Sequence, residues 1–294
     1  MPITKSIKGS EMENDDVVLL CDHEVFQGDK KNPTLWALWF PLGILVAISR
    51  VFLLIIYTVL IQFCSVHTKK KTYRNLLRLL GIRITCNLDY DTVQKHTNGC
   101  IVAANHISVF DHFPALAMPL STLMVHHVDS LAGKVMGFLL FKGSGSSYWE
   151  VNNLKQMMKQ FRDWKKSPDG VALYVTPEAT INNRRGLFRF RPDFVVRGRP
   201  VVPLAVSINL PFGLAPNPID SSGVIKFLRL LSSPTIHFHL EYLDKLPAYV
   251  SESESGTAQH YADQIQQKIA NNLAIPATQV TREDKHQYRA GRKK

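Results

Sequence analysis

The sequence predicts an α/β fold, a central sheet flanked by helices, preceded by an N-terminal membrane-embedded hydrophobic hairpin. Three observations predict it. From about residue 72 onward, short apolar runs alternate with amphipathic segments, the pattern of strands joined through helical crossovers. Ahead of them stands an apolar stretch of 30 residues, Leu35 to Cys64, with Arg50 as its one charge. The first 34 residues are polar, with Glu11, Glu13, Asp15 and Asp16 among them, and show no cleavable signal pattern.

A straight helix over the apolar stretch would measure about 45 Å, against a hydrocarbon core of about 30 Å. Pro41 interrupts its hydrogen-bond ladder. Arg50 would sit near the bilayer midplane at a cost of about 2.5–3.5 kcal/mol. Lys30 and Lys31 precede the stretch, and Lys69, Lys70, Lys71 and Arg74 follow it. Basic flanks favour the cytosol. A hairpin over 35–64 that dips into one leaflet, with both termini cytosolic, meets all three conditions; a single span is the alternative.

Behind it, Thr72–Leu80 has helical leucine spacing and stops at Gly81. Ile82–Leu88 alternates as a strand does. The turn Thr97-Asn98-Gly99 leads into a buried strand, Cys100–Ala104, and a helix should start near Asp111 with Pro114 in its first turn. Leu120–His127 reads as a strand, and Asp129–Phe141 and Glu150–Lys166 as helices separated by the loop KGSGSSY. Further strands are expected at Val171–Val175, Val201–Ile208 and Thr235–Leu243, with a helix at Ser222–Leu231. Ala258–Leu273 is an amphipathic helix with Tyr261, Ala262, Ile265, Ile269 and Leu273 on one stripe. The basic end from Arg282 reads as a frayed tail.

Composition narrows the function. Lys+Arg 35 against Asp+Glu 24 leaves a net charge of +11, suited to anionic membranes, phosphate-bearing substrates or nucleic acid. Nucleic acid is disfavoured, because the basic tail interleaves no aromatic platform beyond Tyr288. The four cysteines, Cys21, Cys64, Cys86 and Cys100, form no C-x-x-C pair and read as reduced thiols.

Two constellations carry chemistry. Residues 105–111, NHISVFD, follow directly on a strand. Positions five apart do not share a helix face, so His106 and Asp111 meet only with His106 on the turn and Asp111 in the helix behind it. That places an imidazole at a strand end, where α/β proteins build sites. Taken alone, the pair fits an ordinary polar loop better. Residues 171–191, VALYVTPEATINNRRGLFRFR, end a strand in Pro177-Glu178-Ala179-Thr180 and continue into Arg184, Arg185, Arg189 and Arg191. Guanidinium forks suit phosphate, and a solvated or headgroup-contacting face reads equally well. His237, His239 and Glu241 share a strand face that period-2 polarity explains without a metal, and His126 and His127 point to opposite faces.

Together these stretches resemble the glycerolipid acyltransferase superfamily, whose members pair N-H-x4-D with P-E-G-T some 70 residues later and then a V-P strand. Asn105-His106 and Asp111, Pro177-Glu178 and Thr180, and Val202-Pro203 match in order and spacing. Ala179 stands where that family has glycine, and its second-motif arginine has no counterpart between Lys142 and Arg162. The interrupted apolar segment, HISVFDH, PEATINNRRGLFRF, KFLRLL and TREDKHQYR are similar to the ancient ubiquitous protein 1 family within it, over roughly residues 35 to 290.

That resemblance implies a polar cytosolic tail at 1–34, the hairpin at 35–64, an acyltransferase-like domain at 72–250, and an amphipathic helix with a basic tail at 256–294. It implies a monotopic protein of the endoplasmic reticulum and lipid droplets. Its partners would be membrane lipid, the droplet surface and protein-quality-control factors. The family's ubiquitin-binding elements lie C-terminal to this region and are not expected before Lys294. His106 would be general base and Asp111 its orienter. Glu178, Thr180, Arg184, Arg185 and Arg189 would bind the acceptor. Acyl-CoA would be co-substrate, with no resident cofactor or metal. Two readings stay open: a lysophospholipid acyltransferase, favoured by the complete His106/Asp111 pair, and an adaptor that keeps the fold, favoured by Ala179 and the missing arginine.

Overall fold

The computed structural model describes residues 15–21, 33–117, 121–126, 131–151, 154–166, 170–216 and 223–292. Most of the polar tail assigned to 1–34, His127, and the last two residues of the basic tail lie outside them. The strands are β1 (Ile82–Cys86), β2 (Ile101–Ala104), β3 (Ser121–His126), β4 (Ser147–Val151), β5 (Ala172–Val175), β6 (Val201–Asn209) and β7 (Ile236–Tyr242). They form one seven-stranded sheet in the order β1-β7-β6-β2-β5-β3-β4. Every neighbouring pair is parallel except β6–β7. The expected central sheet is present, and its middle strands are the continuous apolar runs that two-sided burial requires: IVAA in β2 and ALYV in β5 are buried throughout.

The helices are α1 (residues 15–21), α2 (Pro33–Leu60), α3 (Val66–Leu79), α4 (Tyr90–Thr97), α5 (His112–Ala117), α6 (Leu131–Ser144), α7 (Leu154–Lys166), α8 (Gly223–Ser232), α9 (Glu252–Ser255), α10 (Ala258–Leu273) and α11 (Arg282–Arg292). β2 shows how they divide between the two faces. Val102 and Ala104 point into a core with Tyr73 and Leu77 of α3, Phe113 of α5 and Leu230 of α8. Ile101 and Ala103 point the other way, to Phe161 of α7 and Ile265 and Ile269 of α10. The segment 256–294, set apart by sequence as a helix and tail, thus carries a core helix. α11, read as frayed, is a helix.

Two other expectations change. The KGSGSSY loop is the end of α6 followed by an edge strand, β4, paired with β3. The hairpin at 35–64 is replaced by one helix, α2, which runs through Pro41 without reversing. Its reason is tertiary. Gly43, Ala47, Arg50, Leu54, Thr58 and Ile61 recur every three or four residues, and all are buried to below a tenth exposure. This stripe lies on α8 and α6, and Tyr57 beside it reaches α3. A Cβ at Gly43 would come within 2.8 Å of the Ser232 carbonyl, so the backbones approach closely there. Trp39 Nε1 donates to that same carbonyl at 2.7 Å, steadying the turn beside Pro41.

Arg50, the charge that argued for a hairpin, donates from Nη1 to the carbonyls of Leu231 and Ser233 and from Nη2 to that of Pro234. It ties the C-terminal end of α8 to α2. The outward side chains of the same helix, Leu38, Leu45, Ile48, Phe52 and Val59 among them, are exposed. The helix turns its one charge inward and its apolar face outward, the reverse of a helix on a water-soluble surface.

Candidate active site

Asn105 closes β2. Its side chain is fully buried, accepts from Val206 N at 2.7 Å and donates to Val206 O at 2.9 Å, locking the strand end to β6. The chain then turns, and His106 emerges partly exposed while Asp111, immediately ahead of α5, is fully buried. His106 Nδ1 lies 2.8 Å from Asp111 Oδ2. The same oxygen accepts from Ile107 N at 2.6 Å and Ser108 N at 3.0 Å, and Oδ1 accepts from the Ser108 hydroxyl. Because every partner donates, Asp111 is a carboxylate, and the shared proton belongs on His106 Nδ1. Nε2 is left as a basic lone pair, with no partner among the described residues.

The second constellation folds back onto this turn. His106 N donates to Glu178 Oε1 at 2.6 Å, and Asn182 N donates to His106 O at 2.7 Å, a two-bond clasp. Glu178 has no exposed surface. Its oxygens also take Phe188 N at 2.9 Å and the Asn182 amide at 2.9 and 3.1 Å. Burial pushes its pKa up to about 8. All four contacts nevertheless come from N–H donors, the geometry of an ionised group. A side chain so placed holds the loop in position, with its oxygens turned to the loop's own donors.

Ala179 sits at φ 51°, in the left-handed region that glycine enters freely. The alanine therefore keeps the glycine conformation and bears its strain. Ala179→Gly is expected to raise stability by about 0.5–1 kcal/mol, strain relief outweighing chain entropy, as read by chemical denaturation.

The remaining expected residues separate. Thr180 accepts from Lys285 Nζ of α11 at 3.0 Å. Arg189 is held by Asp263 of α10, Nε to Oδ1 at 3.2 Å and Nη2 to Oδ2 at 2.9 Å, so its fork is taken. Arg184 is exposed, two residues beyond Asn182, and its Nη1 donates to Ile208 O at 3.2 Å. Arg185 is half-buried. Arg184 keeps its other guanidinium donors for an anion, and the hydrogen bond of Arg185 to Asn183 Oδ1 is made by its backbone N–H, not by its fork.

Sequence reading missed Asn182, Ser108 and Lys285. Lys285 is buried, donates to Ile181 O at 2.5 Å as well as to Thr180, and lies 4.9 Å from the centroid of Phe188. Burial pushes its pKa down to about 8, while two acceptors and an aromatic face hold an ammonium there. Lys285→Met would orphan both acceptors. A loss of about 2–4 kcal/mol is expected, at 1–3 kcal/mol per buried unpaired group, measurable as a lowered denaturation midpoint. His237 and His239, considered as ligands, both meet the Thr85 hydroxyl of β1, at 3.1 and 2.9 Å.

Comparison with known proteins places this geometry. No protein-family model matches the chain. It is 24% identical over 285 residues to the lipid droplet-regulating VLDL assembly factor AUP1 of Danio rerio, covering 94% of this chain and 63% of that protein. It is 27% identical over 192 residues to lysophospholipid acyltransferase LPCAT4 of Mus musculus, covering 61% of this chain and 34% of that protein. The chain thus spans less than two thirds of the length of these curated relatives. In fold it is similar to the 1-acyl-sn-glycerophosphate acyltransferase PlsC of Thermotoga maritima, with a TM-score of 0.50, 16% identity, and coverage of 80% of this chain and 98% of that one. In sequence, then, the chain is similar to AUP1 proteins along nearly its whole length and to lysophospholipid acyltransferases over part of it, and its fold is that of a glycerolipid acyltransferase.

Proposed function

We propose that this chain works in lipid homeostasis on the endoplasmic reticulum and lipid-droplet surface. α2 would lie in the plane of the membrane and the acyltransferase-like domain would rest on the cytosolic side. The carrying observation is the inverted helix, with Arg50 and Thr58 turned into the protein and an apolar face turned out, on which the exposed Ser49 hydroxyl is tied back to Leu45 O. Such a face is favourable only against an apolar phase. Because the inner stripe of α2 is engaged from Trp39 to Ile61, a perpendicular passage would strip those contacts, and both termini stay on one side. The names of the relatives, one regulating lipid droplets and others acylating lysophospholipids, support the lipid surface; quality-control partners follow from the family resemblance.

The test uses substitutions that leave the inner stripe untouched. Replacing Leu38, Leu45, Phe52 and Val59 together with serine is expected to move the full chain from the droplet and membrane fractions into the soluble fraction at high salt, with its circular dichroism unchanged. Retention of that variant on droplets would overturn the in-plane seat.

A second reading, an active acyl-CoA-dependent lysophospholipid acyltransferase, is favoured by the intact His106–Asp111 pair. In that chemistry Nε2 of His106 takes the proton of an acceptor hydroxyl, whose oxygen attacks the thioester carbonyl of acyl-CoA. The tetrahedral intermediate collapses and expels the coenzyme A thiolate, which takes the proton back from the imidazolium. Asp111 holds the Nδ1–H and offsets the transient positive charge. Arg184 would meet a phosphate of donor or acceptor. Transfer from acyl-CoA to a panel of lysophospholipids by the purified chain, with His106→Ala alongside, separates this reading from a site kept for binding alone.

A further inference from the structure

Among the described residues the sheet has an open side at β1, which pairs there with β7 alone. Ile236 N donates to Gly81 O and Asn87 N to Leu240 O, so odd-numbered residues turn their backbone toward β7. Alternation turns the N–H and C=O groups of Ile82, Ile84 and Cys86 outward. The side chains of the same residues, with Leu88, line a cavity of about 160 Å³ walled by Leu77, Arg74 and Arg78 of α3 and by Tyr90. Arg74 stacks over the Tyr90 ring at 4.5 Å, which fixes its guanidinium at the rim while leaving its N–H donors unspent. Among the described residues no carboxylate pairs with Arg74 or Arg78. Among the described residues three features therefore coincide: an unpaired strand edge, a cleft beside it floored by aliphatic side chains, and two cations in its wall.

We propose that the groove between α3 and β1 docks an extended acidic segment of another protein, which adds to the sheet as an eighth strand beside β1. Alternate apolar side chains of the segment enter the cleft, and a carboxylate meets Arg74 and Arg78. A hydrocarbon chain could fill the cleft but could not use the outward backbone groups. The cleft is also smaller than the roughly 300 Å³ at which small-molecule sites begin. A second copy of this chain is disfavoured, because edge-to-edge pairing would set Arg74, Arg78 and Arg83 against one another on a chain of net charge +11. The inference stands apart from the acyl-transfer chemistry and from the membrane seat.

The probe is a fluorescein-labelled decapeptide alternating valine and glutamate. It is compared with its lysine-for-glutamate counterpart and with a version N-methylated on alternate amides. The full chain carries Cys64→Ser, which leaves Cys86 as the accessible thiol because Cys21 and Cys100 are buried. The glutamate peptide is expected to bind by fluorescence anisotropy and, at saturation, to slow alkylation of Cys86 at least tenfold. Arg74→Glu with Arg78→Glu should weaken binding at least tenfold. Ile84→Pro, which removes an outward N–H and no bond to β7, should do the same with the dichroism spectrum unchanged. Equal binding by the lysine or N-methylated peptide would overturn the proposal. So would protection of Cys86 by oleate or phosphatidate vesicles but not by the peptide, which would make the cleft a lipid groove.

Discussion

His106→Ala is expected to lower acyl transfer by about 10²–10⁴-fold, the contribution typical of a positioned general base, while leaving the unfolding midpoint nearly unchanged. The separation follows from the hydrogen bonds. The backbone of His106 makes the clasp with Glu178 and Asn182, and among the described residues its side chain makes one bond, to Asp111. Truncating the ring therefore removes the base and spares the clasp. Asp111 behaves differently. Its carboxylate also caps the buried amides of Ile107 and Ser108, so Asp111→Ala should cost about 1–3 kcal/mol for each donor orphaned, on top of the lost transfer. Asp111→Asn offers one carbonyl oxygen to those donors and can hold the imidazole in the wrong tautomer, so it should lose rate with a smaller loss of stability. Rates across the lysophospholipid panel, read beside circular dichroism, test the scheme. Equal turnover by the unmodified chain and His106→Ala would sink the enzymatic reading and leave the site to binding.

What the sequence foretold and what it hid divide along sequence separation. The His106–Asp111 pair was readable because both residues lie in one strand-turn-helix unit, five positions apart, where local geometry fixes who can meet. The buried strands β2 and β5 were readable because two-sided burial writes itself as an unbroken apolar run. The partners of Thr180 and Arg189 were not, because Lys285 and Asp263 arrive from helices 105 and 74 residues further on. The antiparallel pairing of β6 with β7 was likewise hidden, since alternation in one strand does not state the direction of its neighbour. β4 was lost to its composition: SYWEV has turn residues before it and no apolar run. Glu178 matched a motif whose glutamate invites a substrate role, and the motif could not state its complete burial or its four bonds to the loop. The hairpin failed for the most instructive reason. A charge in an apolar run reads as a conflict with lipid when the carbonyls that receive it stand more than 180 residues away.

That conflict supplies the other large effect. Were α2 a span with Arg50 near the midplane, Arg50→Leu would ease insertion by about 2.5–3.5 kcal/mol and tighten membrane attachment. In the structure the same substitution strips the donor from three carbonyls at the end of α8 and the entry to β7. It also opens a void against Gly81, where an added Cβ would now come within 2.6 Å of Arg50 Nη2. Arg50→Leu is therefore expected to destabilise the chain by at least about 3 kcal/mol, at about 1–3 kcal/mol for each carbonyl left without its donor. Arg50→Lys should recover only part of this, because one ammonium has no planar fork to reach carbonyls on both sides of the turn. Thermal unfolding and limited proteolysis in detergent read the loss, and alkaline extraction of membranes reads attachment. An Arg50→Leu chain that unfolds at the unmodified temperature and resists extraction more strongly would establish a spanning helix. A chain that unfolds earlier, while the serine set on the outer face unfolds normally and leaves the membrane, assigns the two faces of α2 to two jobs: Arg50's side binds the domain, and the apolar side binds lipid.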